Sequence, residues 1–361
     1  MSLPDTTIPA CYAMTVPGLE SVAADEITRD LGGEVKKTGR GIVVFRVKSI
    51  TAKLLQLRCV EDVFLLAWGS DALSYRAADL DKIRKWTAKE PDWKSLLHYH
   101  HQVRPKPSGK PTWHVVTQMT GEHGYQRSDA RKAFLAGLEG VVPASWRMVD
   151  EHAAIEFWLT IHGATAIAGV RLSDATMRHR TYKLEHRAAS LRPVVAAAMA
   201  RLAGAGPNAV VVDPTCGAGT ILAEQLTLAR DRGFRVQTIG GDLEWGAVYA
   251  AGINLRRLGA APFVRWDARR LPLAAASVDR IVANPPFGIQ LGDPAEVRRL
   301  YQQFIPECDR VLRPGGKAVL LMAEPEWLRP AAQKVEWTSQ REVRIRLLGQ
   351  PATIGVWRKP A

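Results

Sequence analysis

The chain has 361 residues, 47% hydrophobic and 24% charged, which fits two or three globular domains and excludes a disordered or fibrous protein. No apolar run reaches the roughly 18 residues a membrane helix needs, and no basic-then-apolar leader opens the sequence, so neither a membrane span nor a signal peptide is expected. The net charge of +13 divides into +5 over residues 1–190 and +8 over residues 191–361, so the excess is not a tail and points to a polyanionic partner.

In chain order, residues 12–16 read as a strand and Pro17-Gly18 as a turn, with Leu19, Val22, Ala23, Glu26 and Ile27 at helical spacing behind them. Residues 41–47 are β-branched and apolar, a strand pattern, and residues 54–66 read as a further helix and strand. Residues 113–119 alternate like a strand, residues 129–138 repeat like a helix, and residues 154–159 and 166–170 look like a closing strand pair. Polar joints containing Pro and Gly, such as 104–111, lie between them. Residues 173–187 are polar and basic and read as a linker. From about residue 188 the pattern becomes βα repetition. An amphipathic helix carries Leu191, Val194, Val195, Ala198, Met199 and Leu202. Buried-strand candidates follow at 209–212, 236–239, 263–264, 280–283 and 317–322. Alternation of this kind implies a parallel sheet covered on both faces.

The first of these strands runs into Asp213, Pro214, Thr215, Cys216, Gly217, Ala218 and Gly219. Gly217 and Gly219 let the backbone turn sharply and approach a ligand closely. A dinucleotide fingerprint requires Gly or Ala three residues after Gly219, where this chain has Leu222. Asp213 at the strand end would oppose a pyrophosphate but suits the ammonium of a methionine moiety. The loop therefore fits S-adenosylmethionine better than NAD. Asp242 ends the second strand, placed to accept ribose hydroxyls, and Asp267 ends the third, where it can accept from the adenine amine. One such acid is most simply a helix cap; three at successive strand ends, behind a glycine turn, are not.

The fourth strand ends in Asn284, Pro285, Pro286, Phe287 and Gly288. An exocyclic base amine is a poor nucleophile because its lone pair is delocalised into the ring. Two rigid acceptors, the Asn284 side-chain oxygen and the Pro285 carbonyl, would take its two N–H hydrogens and point the lone pair at a sulfonium methyl. The prolines fix φ near −65° and hold those acceptors still, and Phe287 would stack on the extruded base. All nine histidines lie before residue 187, so the second half offers no imidazole base, and this chemistry requires none.

Rival readings are weaker. The four cysteines, Cys11, Cys59, Cys216 and Cys308, lie far apart with no CxxC pair, which argues against a zinc site or disulfides and suits a reducing cytoplasm. Cys216 sits in the cofactor loop and reads as small packing rather than a nucleophile. His98, His100 and His101 read as a solvated polar loop, since no further metal ligands are evident. No metal is expected.

These motifs resemble the Rossmann-fold methyltransferases that modify base amines. Residues 213–220 look like their first motif and residues 284–287 like their Asn/Asp-Pro-Pro-Phe/Tyr motif. The first half, through residues 12–20 and 113–138, looks like a ferredoxin-like domain followed by a THUMP domain. That domain order is similar to the tRNA guanine-N2 methyltransferases acting on the acceptor stem at position 6. The resemblance implies an α/β fold: a ferredoxin-like α+β domain over 1–70, a THUMP-like RNA-binding domain over 71–172, a linker over 173–187, and a Rossmann-like methyltransferase domain with a mostly parallel sheet over 188–361. It further implies cofactor contacts from Leu191, Asp213, Cys216, Gly217, Ala218, Gly219, Asp242, Asp267, Ala268 and Asn284, and base contacts from Asn284, Pro285 and Phe287. The segment 189–193 would lie against the cofactor. Lys110, Arg127, Arg131 and Lys132 are candidates for RNA phosphates, against the plainer reading of a solvated basic face. The expected partner is RNA, foremost tRNA, met by a monomer. The alternatives are a ribosomal RNA guanine-N2 methyltransferase and a non-catalytic RNA-binding factor of the same fold.

Overall fold

The computed structural model describes residues 8–105, 108–187, 190–259, 263–285, 294–347 and 349–361. Two sheets of different character follow from the two hydrophobic rhythms. The chain divides into two units, one built mainly from Ala24–Met177 and one mainly from Arg178–Ala361, with the short stretch Thr15–Ala23 grouping with the second.

In the first unit the strands are β1 (Cys11–Met14), β2 (Glu34–Gly39), β3 (Ile42–Arg46), β4 (Asp62–Ser70), β5 (Thr112–Thr120), β6 (Arg147–Met148), β7 (Ile155–His162) and β8 (Thr165–Arg171). They form one sheet in the order β2-β3-β1-β4-β8-β7-β5-β6. The stretches 1–70 and 71–172, expected as separate domains, therefore share a sheet, because β4 pairs antiparallel with β8 from Phe64↔Arg171 to Ser70↔Ala166. On one side Tyr12 stacks on Phe64, their rings 4.5 Å apart, with Trp158 and Ile167 packed beside them. Helices α1 (Glu20–Leu31), α2 (Ala78–Lys89), α3 (Trp93–Val103) and α4 (Arg127–Gly137) complete this part of the chain. The Trp68 indole on β4 donates to Thr87 Oγ1 on α2 (3.1 Å). Residues 98–101, expected as a solvated loop, instead lie on α3. His100 faces the core at 3% exposure, and burial first, then His101 and Arg104, push its pKa down to about 4.

Asp62 is fully buried at the start of β4 and would be costly as a lone charge. Arg171 at the end of β8 donates to its Oδ1 from Nε (2.8 Å), and Ser173 Oγ donates to the same oxygen (2.8 Å). A second arm of Arg171 reaches Glu156 on β7 (3.0 Å), whose carboxylate also accepts from the Trp158 indole (2.7 Å). Three strands are thus tied by one guanidinium.

The second unit has strands β9 (Val210–Asp213), β10 (Gln237–Asp242), β11 (Phe263–Arg265), β12 (Val278–Ala283), β13 (Leu312–Met322), β14 (Thr338–Leu347) and β15 (Gln350–Arg358). Its helices are α5 (Pro193–Ala203), α6 (Thr220–Asp231), α7 (Trp245–Leu255), α8 (Pro294–Val311) and α9 (Pro325–Lys334). The sheet order is β11-β10-β9-β12-β13-β15-β14. The first five strands are parallel, and β15 runs antiparallel to both of its neighbours. The central strands carry apolar side chains on both faces, so Val212, Ile281 and Leu320 bury completely among Tyr301, Phe304 and Ile305 of α8. Chain order reverses at β9, which has β10 on one side and β12 on the other. In an open α/β sheet the crevice at the carboxyl ends of such strands is where ligands bind.

Residues 178–187, the larger part of the stretch 173–187 read as a linker, pack onto this unit. The Arg180 Nε (3.2 Å) and the Tyr182 hydroxyl (2.8 Å) both donate to buried Glu224 on α6. Farther along, Arg187 pairs with Glu244 at the start of α7. Among the described residues no helix is long and apolar enough to cross a membrane.

Candidate active site

The turn after β9 is built from its own backbone needs. Gly217 and Gly219 take φ of +52° and +77°, a region that favours glycine. The loop is then lashed to β10: the Cys216 amide donates to the Gly241 carbonyl (2.9 Å) and the Gly217 amide to Asp242 Oδ2 (2.9 Å). Asp242 Oδ1 accepts the Glu244 amide (3.1 Å), so this acid orders both the cofactor loop and the entry to α7. Each oxygen keeps a lone pair for a ribose hydroxyl. On the far side the Trp266 indole, after β11, donates to the Pro214 carbonyl (2.9 Å). A Cβ on Gly217 would meet nothing within 4 Å, which leaves the loop backbone open to a ligand.

Asp213 is 1% exposed and accepts only the Thr215 amide (3.2 Å) among its described contacts. Burial, with Asp242 nearby, holds its carboxyl well above the usual range. A buried acid with no cation beside it among the described residues fits a ligand that brings an ammonium. Cofactor binding should then pull this carboxyl into its charged form and release a proton. Calorimetry in buffers of different ionisation heat, run over a pH series, is expected to show proton release that grows as pH falls and is lost in Asp213→Asn; the same pH profile in both would contradict the assignment.

Asn284 and Pro285 follow β12, beside the β9 loop. The Asn284 Oδ1 is buried without a hydrogen-bond partner among the described residues, a costly state unless a ligand donates to it. Pro286 and Phe287, expected to complete this side, lie outside the described residues.

The remaining expected positions divide. Ala218 is buried and its carbonyl accepts from Asn254 Nδ2 (2.9 Å). The Leu191 carbonyl accepts from Lys183 Nζ (3.5 Å), just before α5. Ala268 packs against the sheet's core. Asp267 is not an open acceptor here, because Arg269 Nη2 pairs with its Oδ2 (2.6 Å) and this holds its pKa down. Any adenine contact there must share that carboxylate. Cys216 is buried, and burial, then Asp213 and Asp242, push its thiol pKa well up, away from the thiolate a nucleophile requires. Of the basic candidates, Arg127 and Arg131 line a cavity of about 520 Å³ with His114 and Thr117, while Lys110 and Lys132 do not line it. Among the described residues no group of three or more metal-ligating side chains occurs.

Two residues escaped the sequence reading. Asn254, buried on α7, accepts the Leu184 and Glu185 amides on Oδ1 (both 2.8 Å) while Nδ2 donates to the Ala218 and Glu185 carbonyls. It clamps residues 184–185 to the cofactor loop. Glu224 anchors the same segment through Arg180 and Tyr182. For Asn254 the one available signal was a lone amide in an otherwise apolar helix stretch; Glu224, beside Gln225 and Thr227, gave none.

A glycine turn ordered by the acid of the next strand, opening on a reversed parallel sheet beside an Asn-Pro whose Asn284 Oδ1 has no partner among the described residues, is the arrangement of a Rossmann-like methyltransferase that uses S-adenosylmethionine. Known proteins agree with that class. Residues 180–351 match the RMKL-like methyltransferase domain family. The chain is 32% identical over 339 residues to the tRNA (guanine(6)-N2)-methyltransferase of Thermus thermophilus, covering 88% of this chain and 90% of that one. It is 29% identical over 216 residues to the mouse U6 snRNA (guanine-N(2))-methyltransferase THUMPD2, covering 59% of this chain but only 39% of that longer protein. The crystal structure of TrmN from Thermus thermophilus superposes with a TM-score of 0.77 at 27% identity, over 98% of this chain and all of that one. The chain belongs to the THUMP-type tRNA guanine-N2 methyltransferase family.

Proposed function

We propose that this protein methylates the N2 amine of a guanosine in tRNA, at position 6 of the acceptor stem. The observation that carries the reading is the buried Asn284 Oδ1, without a partner among the described residues, beside the cofactor loop. S-adenosylmethionine supplies an electrophilic sulfonium methyl. Asp213 would hold its ammonium, Asp242 its ribose, and the backbone of residues 216–219 its methionine portion. Asn284 Oδ1 and the Pro285 carbonyl would accept the two N2 hydrogens, localising the nitrogen lone pair. Positioning and fixed acceptors then do the catalytic work. Once methylated the nitrogen is cationic and strongly acidic, so water suffices to take its proton, consistent with a half-chain that has no histidine after residue 186. Phe287 would stack on the base.

RNA would be gripped by the first unit, with residues 71–172 as the THUMP-like part. Arg127 and Arg131 line a cavity together with Thr117, whose Oγ1 is buried and without a partner among the described residues. Lys110 and Lys132, both exposed, would meet phosphates outside it. The four thiols, all free and buried, suit a cytoplasmic protein, here acting as a monomer.

Nucleoside mass spectrometry of a deletion strain tests the target. Loss of N2-methylguanosine from tRNA is expected; loss from ribosomal RNA alone would overturn the choice of substrate.

A further inference from the structure

Helix α7 buries Ala247, Val248, Ala250, Ala251, Asn254 and Leu255 on one face, as its small apolar residues dictate. The opposite face is not polar. Trp245 and Tyr249, four residues apart and so on one stripe, are 66% and 67% exposed, and Leu243 just before the helix is 61% exposed. Two large rings and a leucine left in water within seven residues are unusual for a surface with no partner. The stripe continues through Gly252, where a Cβ would meet nothing within 4 Å, to Arg256.

The charges around this stripe are of one available sign. The acids are engaged: Asp242 by the Gly217 and Glu244 amides, Glu244 by Arg187, and Asp267 by Arg269. Arg256 and Arg257, exposed at the end of α7, have no side-chain partner among the described residues. At the other end, exposed Arg265 is fixed by its Nε on the Leu243 carbonyl (3.0 Å). Open rings flanked at both ends by exposed guanidinium groups match bases and phosphates, whereas the centre of a protein interface is depleted of charge.

We propose that this face of α7 is an RNA contact surface of the methyltransferase unit, with bases stacked on Trp245 and Tyr249 and phosphates held by Arg256, Arg257 and Arg265. The inference rests on RNA being the substrate. It adds a second grip, starting three residues beyond Asp242, where α7 leaves the carboxyl end of β10.

Binding of the full chain to an unmodified tRNA transcript, followed by fluorescence anisotropy, tests it. Trp245→Ala with Tyr249→Ala should weaken binding roughly ten-fold or more, while Trp245→Phe with Tyr249→Phe should stay within about three-fold of wild type. Arg256→Gln with Arg257→Gln should reduce the slope of log affinity against log salt by about two. S-adenosylmethionine affinity should hold within about three-fold in the alanine pair, showing the fold intact. Wild-type RNA affinity in the alanine pair would overturn the inference. So would a wild-type dimer in sedimentation that the alanine pair dissolves while RNA affinity stays, since the face would then bind a second copy. A wild-type chain that binds no transcript would overturn the substrate reading, and this one with it.

Discussion

Asn284→Ala is expected to lower turnover by at least about 10³-fold while S-adenosylmethionine affinity stays within about three-fold of wild type. The asymmetry follows from the geometry. The cofactor loop is ordered by contacts that do not involve Asn284: Cys216 to Gly241, Gly217 to Asp242, and Trp266 to Pro214. Asn284 Oδ1, in contrast, is a buried acceptor with no donor among the described residues, which fits the proposed role of accepting from the substrate amine. An acceptor used only when the amine arrives contributes to the transition state rather than to cofactor binding. Asn284→Asp keeps an oxygen in place and should retain part of the activity. Single-turnover rates with saturating RNA, beside calorimetric cofactor titration, check both statements. Full turnover in the alanine variant would mean that the amine is held elsewhere.

Arg171→Ala is expected to destabilise the first unit by about 3–5 kcal/mol, the cost of leaving a buried charge without its partner. Asp62 has no exposed surface, and Arg171 itself is only 12% exposed, so water cannot take over the lost bonds. The same change frees Glu156 and withdraws the guanidinium from the face of Trp158, 5.3 Å away. Arg171→Lys keeps a charge but not the fork and should fall between the two. Amide exchange along β4, β7 and β8 should accelerate in the alanine variant, with the second unit little changed. A loss below about 1 kcal/mol in denaturant would show that Asp62 is stabilised by other groups.

The parts of this molecule that could be read from the sequence are those whose signal is local. The β9 strand, its glycine turn and the helix behind it lie within some twenty consecutive residues, and the alternation of apolar runs exposed β10 to β13 in the same way. The antiparallel addition of β14 and β15 went unread: adjacent Arg341 and Glu342 break the alternation that Val343 to Leu347 otherwise shows, and Pro351 and Gly355 interrupt β15. Helices α2 and α3 were missed because polar residues interrupt their apolar stripes, and His100, a core residue, looked like part of a solvated triplet. The shared sheet of the first unit depends on β4 meeting β8, and the Asp62–Arg171 pair joins residues 109 apart in the chain. No spacing rule reaches that far. In the site, the strand-end acids were legible but their employment was not. Asp242 orders two backbone amides before any ligand binds, and Asp267 is already paired with Arg269, two residues on.

The central claim is methyl transfer to guanine N2 in tRNA, and reconstitution measures it directly. Purified protein, S-adenosylmethionine and an unmodified tRNA transcript with guanosine at position 6 would be incubated, digested and analysed by mass spectrometry with fragment mapping. N2-methylguanosine at position 6 is the predicted product, absent when that position is changed to adenosine. Methyl groups on another base, or on the same base at a site unaffected by that change, would contradict the account.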